Sequence, residues 1–467
     1  MGRPARAASS VLLVLVLALL AVPLGIHWAT AGQAAASAPV STPPWQLPPT
    51  APATVQGTLS PEAPLPSSSA LAAQLAKTLV PDGGGGDFSG QVVDALSGAV
   101  LFGDKATAPR MPASNMKLLT AAAALHVLGP ERRFRTQVLR SGPSAIVIKG
   151  GGDVLLGAGQ SAPDAVMGHA GLATLATQTV SALQTSGAKG RLSVAVDTAL
   201  FTGPALNPAV EKDDVAAGET APVAPLALNS GRFKVTDTAA PRPEDQGAEV
   251  LKAFTDALNS VAGGTGLSFV AGGAAGTGVE LASVDSATVA EQVGWMLQNS
   301  DNFLAAVLGR MVSLGTGGPG SYAGAIQAVT SQLEGLGVDT HGMVISDLSG
   351  LAPGNRVSAA QFTSLIRLMT SGDDPSLRAA LDGFPVAAVS GTLGSRYDAS
   401  SSKAGAGLVR AKTGTLNTVL SLSGYVVDAD GRLLLFSFIG NGLTPGAAGN
   451  KPALDASAAV LAGCGCR

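Results

Sequence analysis

Cysteine is almost absent: the chain holds two, both in the terminal Cys464-Gly465-Cys466-Arg467. That scarcity excludes a disulfide framework and a cysteine-built metal centre, which needs several converging ligands. The pair is read as a terminal disulfide or as thiols without a catalytic role. Histidine is as sparse, and His27, His126, His169 and His341 show neither triad nor metal spacing. No cysteine- or histidine-built metal site is therefore expected. Charged residues make up 13% of the chain, Lys+Arg 29 against Asp+Glu 32. With no basic field, nucleic acid is excluded as a partner.

At the N-terminus, Arg3 and Arg6 precede the apolar run from Val11 to Ile26, and Ala29-Thr30-Ala31 follows it. A charged start, an apolar middle and a small-residue end make an export signal. Residues 1–31 are expected to be a signal peptide, or an N-terminal membrane anchor if flanking alanines lengthen the span. Residues 32–69 are rich in Pro, Ala, Ser and Thr, the composition of an extended linker with too little to form a core.

Folded structure is expected from about residue 70. A helix carries Leu71, Leu75 and Leu79, two strands cover 88–95 and 99–102, and a helix starts at Ser114. Further on, 145–149 and 192–196 read as strands and 172–185 as a helix, with more β-structure at 223–229 and 233–235. Ser286 reads as the cap of a helix through Val289, Val293 and Met296, and Ser358 with Gln361 as a capping box. Three strands follow at 408–413, 419–427 and 433–439, then a last helix from about Pro452. Helices followed by an antiparallel meander predict an α+β fold.

Chemistry is concentrated in three short motifs. In Ser114-Asn115-Met116-Lys117 the spacing places the lysine and serine on one face of a helix. A serine hydroxyl needs a base to take its proton, and a lysine serves only if desolvation keeps it neutral. At a helix start, free backbone amides also favour a developing oxyanion. Ser300-Asp301-Asn302 is placed on a loop between two helices. Ser300 can bond Lys117 and hand a proton to a leaving amine, and Asn302 offers an amide to substrate and to Lys117. Lys412-Thr413-Gly414-Thr415 lies on a strand, where Lys412, Thr413 and Thr415 can hold a carboxylate. Gly414 would let a substrate approach the backbone.

Each motif alone is common; in this order they resemble the S-x-x-K, S-D-N and K-T-G signature of penicillin-binding proteins and class A β-lactamases. Within that superfamily the chain resembles the penicillin-binding protein 4 type of D-alanyl-D-alanine carboxypeptidase/endopeptidase. The resemblance rests on a long insertion between the first two motifs, Gly150-Gly151-Gly152-Asp153, and 194–201. It rests also on Asp347-Leu348-Ser349-Gly350-Leu351 with Asn355-Arg356-Val357-Ser358, and on Ser390-Gly391-Thr392-Leu393.

It implies a β-lactamase/transpeptidase-like catalytic domain, an antiparallel sheet flanked by helices beside a helical subdomain. That domain would span 70–139 and 286–467, with a β-rich insertion of one or more domains at 140–285. Peptidoglycan stem peptides would be the substrate and β-lactams covalent inhibitors, in the periplasm or cell-wall space, with no metal or organic cofactor needed. By the same resemblance, Ser114 is the nucleophile, Lys117 its base and Ser300 the proton donor, with Asn302 beside them. The Ser114 and Thr415 amides form the oxyanion hole. Lys412, Thr413, Gly414, Thr415, Leu416 and Arg356 bind substrate, with Arg356 either meeting a distal carboxylate or serving as a surface or loop-fixing arginine. Two other classes share the Ser–Lys pair: a serine β-lactamase or esterase, and a penicillin-binding scaffold without turnover. The lactamase would need a Glu-x-x-Leu-Asn loop, and none lies between Ser300 and Lys412.

Overall fold

The computed structural model describes residues 59–237 and 240–465. The expected export signal, most of the linker and Cys466 lie outside the described residues. Strands β1 (Gly85–Asp94) and β2 (Val100–Asp104) form a hairpin. Seven strands belong to the middle of the chain: β3 (Arg135–Gly142), β4 (Ala145–Lys149), β5 (Asp153–Leu156), β6 (Gly190–Asp197), β7 (Leu226–Leu228), β8 (Leu267–Ala271) and β9 (Val279–Asp285). The last three are β10 (Arg410–Leu416), β11 (Val419–Val427) and β12 (Leu433–Thr444).

The first sheet has the order β10-β11-β12-β1-β2 and is antiparallel throughout. Its central strand β12 is buried on both faces, which is why it reads as a continuous apolar run instead of an alternating one. Leu434, Phe436 and Phe438 point into one core, beside Leu71, Leu75 and the C-terminal helix Ala447–Ala462. Leu435 and Ile439 point into the other, which contains the helix Met116–Leu128. Ser437 is the polar gap in that second row, and it bonds Ser423 of β11 at 2.7 Å.

Helix Met116–Leu128 lies inside a helical layer. Every residue from Met116 to Leu125 is buried, so the sequence shows no polar stripe. Ala121 to Ala124 let neighbouring helices pack closely, among them Val289–Asn299, Asn302–Gly315 and Tyr322–Gly335.

The second sheet, β8-β6-β4-β3-β9, is mixed. β4 and β6 run parallel, as do β6 and β8. Parallel neighbours need a crossover, supplied here by helices Leu172–Thr185 and Gln246–Val261, which share one core with the sheet.

Several local expectations change. Ser286 is not the cap: Thr288 is, in a reciprocal capping box with Glu291, while Ser286 accepts the Phe134 amide at 2.9 Å. Threonine with a glutamate three residues on satisfies two free amides at once. Residues 233–235 form no strand, and Phe233 and Val235 stand exposed. The last helix begins at Ala447 and carries Pro452 inside it. Helix Gln246–Val261 escaped the sequence reading although Asp245 caps it and Val250, Phe254 and Leu258 line its buried face.

Candidate active site

Ser114 sits in a tight turn, Ala113–Asn115, that leads into helix Met116–Leu128. The turn is fastened to the first sheet from below. Asn115 Nδ2 donates to Ser423 Oγ at 2.6 Å, and Ser421 Oγ donates to the Pro112 carbonyl at 2.6 Å. Just upstream, Asn441 of β12 exchanges two bonds with the Met111 backbone, at 2.9 and 3.0 Å. Polar serines in otherwise apolar strands thus anchor the nucleophile turn.

Lys117 is fully buried, and its Nζ meets three oxygens. Ser114 Oγ is at 3.0 Å, Asn302 Oδ1 at 2.6 Å and the Ser349 carbonyl at 2.7 Å. Two of these can only accept, and the third is a hydroxyl able to donate. A neutral amine has two N–H groups and one lone pair, so the arrangement suits a neutral lysine poised to receive the Ser114 proton. Desolvation lowers its pKa from 10.5 to about 8, against the opposing pull of Asp347, Asp301 and Glu219.

Ser300 ends helix Val289–Asn299 in a left-handed turn, φ 54°. Asp301 then caps helix Asn302–Gly315 through the Leu304 amide at 3.1 Å. The reversal turns Ser300 Oγ onto Lys412 Nζ at 3.0 Å, where the sequence reading paired it with Lys117. Lys412 is also fully buried. Burial first, and then repulsion from Lys117, hold its pKa well below the usual lysine value. Two serine–lysine pairs therefore face one another across the site.

Ser349 is a contributor that the sequence reading missed. Its carbonyl is presented by a loop wound around the buried Asp347 carboxylate, which accepts from the Ser349 and Gly350 amides at 3.1 and 3.0 Å and from Asn355 Nδ2 at 2.5 Å. Gly350 is in a left-handed conformation, φ +98°, and a Cβ there would lie 1.9 Å from the Ala113 carbonyl. The D-x-S-G-L spacing carried this signal, but a backbone carbonyl has no letter in a sequence.

A cleft of about 990 Å³ opens above these groups, lined by Ser114, Ser300, Asn302, Thr413, Thr415 and Leu416 among others. β10 is the edge strand of its sheet; its start is held by the 385–386 segment, where the Ala411 amide donates to the Pro385 carbonyl at 3.0 Å, and Thr413 and Thr415 beyond it line the cleft. Thr413 Oγ1 lies 2.7 Å from Thr392 Oγ1. Gly414 also has a packing role. A Cβ there would meet Ser421 Oγ at 2.1 Å and the Pro112 carbonyl at 2.8 Å; the glycine lets the strand pack on the nucleophile turn. Arg356 does not line the cleft: its Nη1 donates to the Pro353 and Asn355 carbonyls, both at 2.7 Å. Among the described residues no cluster of His, Cys, Asp and Glu could hold a metal ion.

A buried serine–lysine pair at a helix start, and a second pair joining a helical layer to the edge of a five-stranded antiparallel sheet, define a penicillin-recognising serine hydrolase. More narrowly, the chain belongs to the D-Ala-D-Ala carboxypeptidase 3 (S13) family, which it matches over residues 71–251 and 240–462. It is 36% identical over 409 residues to the carboxypeptidase DacB of Mycolicibacterium smegmatis, 86% of each chain. To the carboxypeptidase Rv3627c of Mycobacterium tuberculosis it is 34% identical, covering 90% of each. The fold is also that of penicillin binding protein 4 (dacB) from Haemophilus influenzae. There the TM-score is 0.65 at 18% identity, over 84% of this chain and 98% of that one.

Proposed function

We propose that this protein is a serine D-alanyl-D-alanine carboxypeptidase acting on peptidoglycan stem peptides. The observation that carries the reading is Lys117: a buried amine, its pKa lowered to about 8, with Ser114 Oγ at 3.0 Å. In the proposed reaction, Lys117 takes the Ser114 proton as Oγ attacks the carbonyl between two D-alanines. The oxyanion forms against the Ser114 and Thr415 amides. Lys412, with the Thr413 and Thr415 hydroxyls, receives the terminal carboxylate, and Leu416 walls the cleft. Lys117, now protonated, gives that proton up through Ser300, which bonds Lys412, to the departing amine, so both return to their starting states, and Asn302 keeps Lys117 in place. Water then releases the acyl-enzyme. Arg356 is left out of the proposed binding set because its own loop occupies it.

β-Lactams are proposed to acylate Ser114, and one structure of the Haemophilus protein holds such a compound. We further propose export directed by residues 1–31, with residues 32–69 spacing the catalytic domain of 70–139 and 286–467, interrupted by 140–285, from the membrane or wall.

Mass spectrometry of purified peptidoglycan after treatment, with Ser114→Ala as control, tests the reading. The expected result is pentapeptides shortened by one D-alanine, with no change for Ser114→Ala. Dimers falling to monomers would add endopeptidase action at the same site. Undigested wall beside intact penicillin labelling would favour a scaffold, and rapid hydrolysis of the β-lactam itself a lactamase.

A further inference from the structure

Residues 218–232 of the insertion reach back to the second motif. Arg242 staples them, donating to the Gly218, Ser230 and Glu219 carbonyls at 2.6, 2.9 and 3.2 Å. From this stapled segment Ser230 Oγ donates to Asp301 Oδ2 at 2.6 Å, and Arg232 lies 3.6 Å from the same carboxylate. Glu219 grips the next residue twice. Asn302 Nδ2 donates to its main-chain carbonyl at 3.0 Å and to its Oε2 at 3.3 Å.

These two contacts decide which way the Asn302 amide points. Both Glu219 oxygens can only accept, so the NH2 end must face them and Oδ1 must face Lys117, 2.6 Å away. We infer that Glu219 is a positioning residue of the catalytic pair: it locks the Asn302 amide in the orientation that presents Oδ1 to Lys117, and it places a negative charge beside that amine. The inference rests on Lys117 being the base for Ser114.

The charged groups facing Lys117 are Asp347 from its loop, Asp301 at the head of its helix, Glu219 from the insertion and Lys412 from β10. Arg232 and Arg242 stand behind Asp301 and Glu219. Of the three carboxylates, Asp301 and Asp347 are buried and committed to backbone amides, whereas Glu219 is exposed in the cleft wall. Its charge is thus the one that can be removed without opening the fold. A carboxylate favours the protonated amine, so removing it should make Lys117 lose its proton at lower pH.

The test is the second-order rate of Ser114 acylation by a chromogenic β-lactam, followed from pH 6 to 10, for wild type, Glu219→Gln and Glu219→Asp. Gln is isosteric and the side chain exposed, so the variant folds, as circular dichroism would verify. Expected is an acid limb moved down by about half a pH unit in E219Q and unmoved in E219D, the shift shrinking in high salt. An acid limb that stays put in E219Q overturns the inference, whatever happens to the plateau, since a merely structural residue lowers the plateau alone. A wild-type profile with no acid limb would instead break the assignment of Lys117 as base.

Discussion

At the scale of the residue, the site is a problem of holding two amines without charge. Among the described residues the hydrogen-bond partners of Lys117 and Lys412 are hydroxyls, carbonyls and an amide, and none is a carboxylate. Such partners satisfy donors without stabilising the ammonium as a carboxylate would. The sign of the pH dependence follows. Below about 8 Lys117 holds its proton and cannot accept another from Ser114, so acylation should rise with pH through that value and then level. A pH profile of penicillin acylation reads this directly; a rate flat from pH 6 to 9 contradicts it. Ser114→Ala should lose labelling completely with an unchanged circular dichroism spectrum.

The three motifs were legible because each carries its chemistry in side chains at fixed spacing. Ser349 and Glu219 were not: one acts through a carbonyl, the other from a segment more than eighty residues before Ser300. For Arg356 the sequence left two roles open, a carboxylate partner or a loop-fixing residue, and its bonds to the Pro353 and Asn355 carbonyls are those of the second.

Among the elements, those with a strong local signature were readable. β11 at 419–427 and the helix at 172–185 stand where the periodicity placed them, and Ser358 with Gln361 forms the expected capping box. The misses fall where two local signals compete, as between Ser286 and Thr288, or where tertiary packing overrides a propensity, as at Pro452. Strand β10 shows a constraint that belongs to the element as a whole. Its residue at 414 must be small so that the strand can lie on the Pro112–Ser114 turn. Gly414→Ala should cost about 1 to 3 kcal/mol through overpacking. It should slow acylation on the order of 100-fold, because small displacements of reacting groups are expensive. Thermal denaturation and stopped-flow acylation check the two halves; a variant that acylates at the wild-type rate would show that the strand has room to yield.

For the molecule as a whole, the first sheet joins the two ends of the described chain: β1, residues 85–94, is zipped to β12, residues 434–444. An ion pair reinforces the closure. Arg432 donates to Asp94 through Nε at 2.5 Å and Nη2 at 2.7 Å, and reaches on to the Pro61 and Ala63 carbonyls. Burial raises the Asp94 pKa, and the bonds from Arg432 together with those from Ser97 outweigh it, leaving it at about 2, below the ordinary 3.8. The pair therefore contributes stability above about pH 4 and loses it as pH falls towards 2. Asp94→Asn strands a buried guanidinium and should cost about 3 to 5 kcal/mol. Chemical denaturation should show this at pH 7, with the gap to wild type closing in acid.

The pairing of first strand with last also sets the timing of activity. Completing the first sheet needs a contact between segments some 340 residues apart, and such long-range closures form late. The nucleophile turn leans on β11, the amide on the insertion and the second lysine on β10. A chain whose first sheet is not yet closed therefore holds Ser114 as an ordinary serine. The hydrolase is armed only by its own completion, in whatever compartment its last strand arrives.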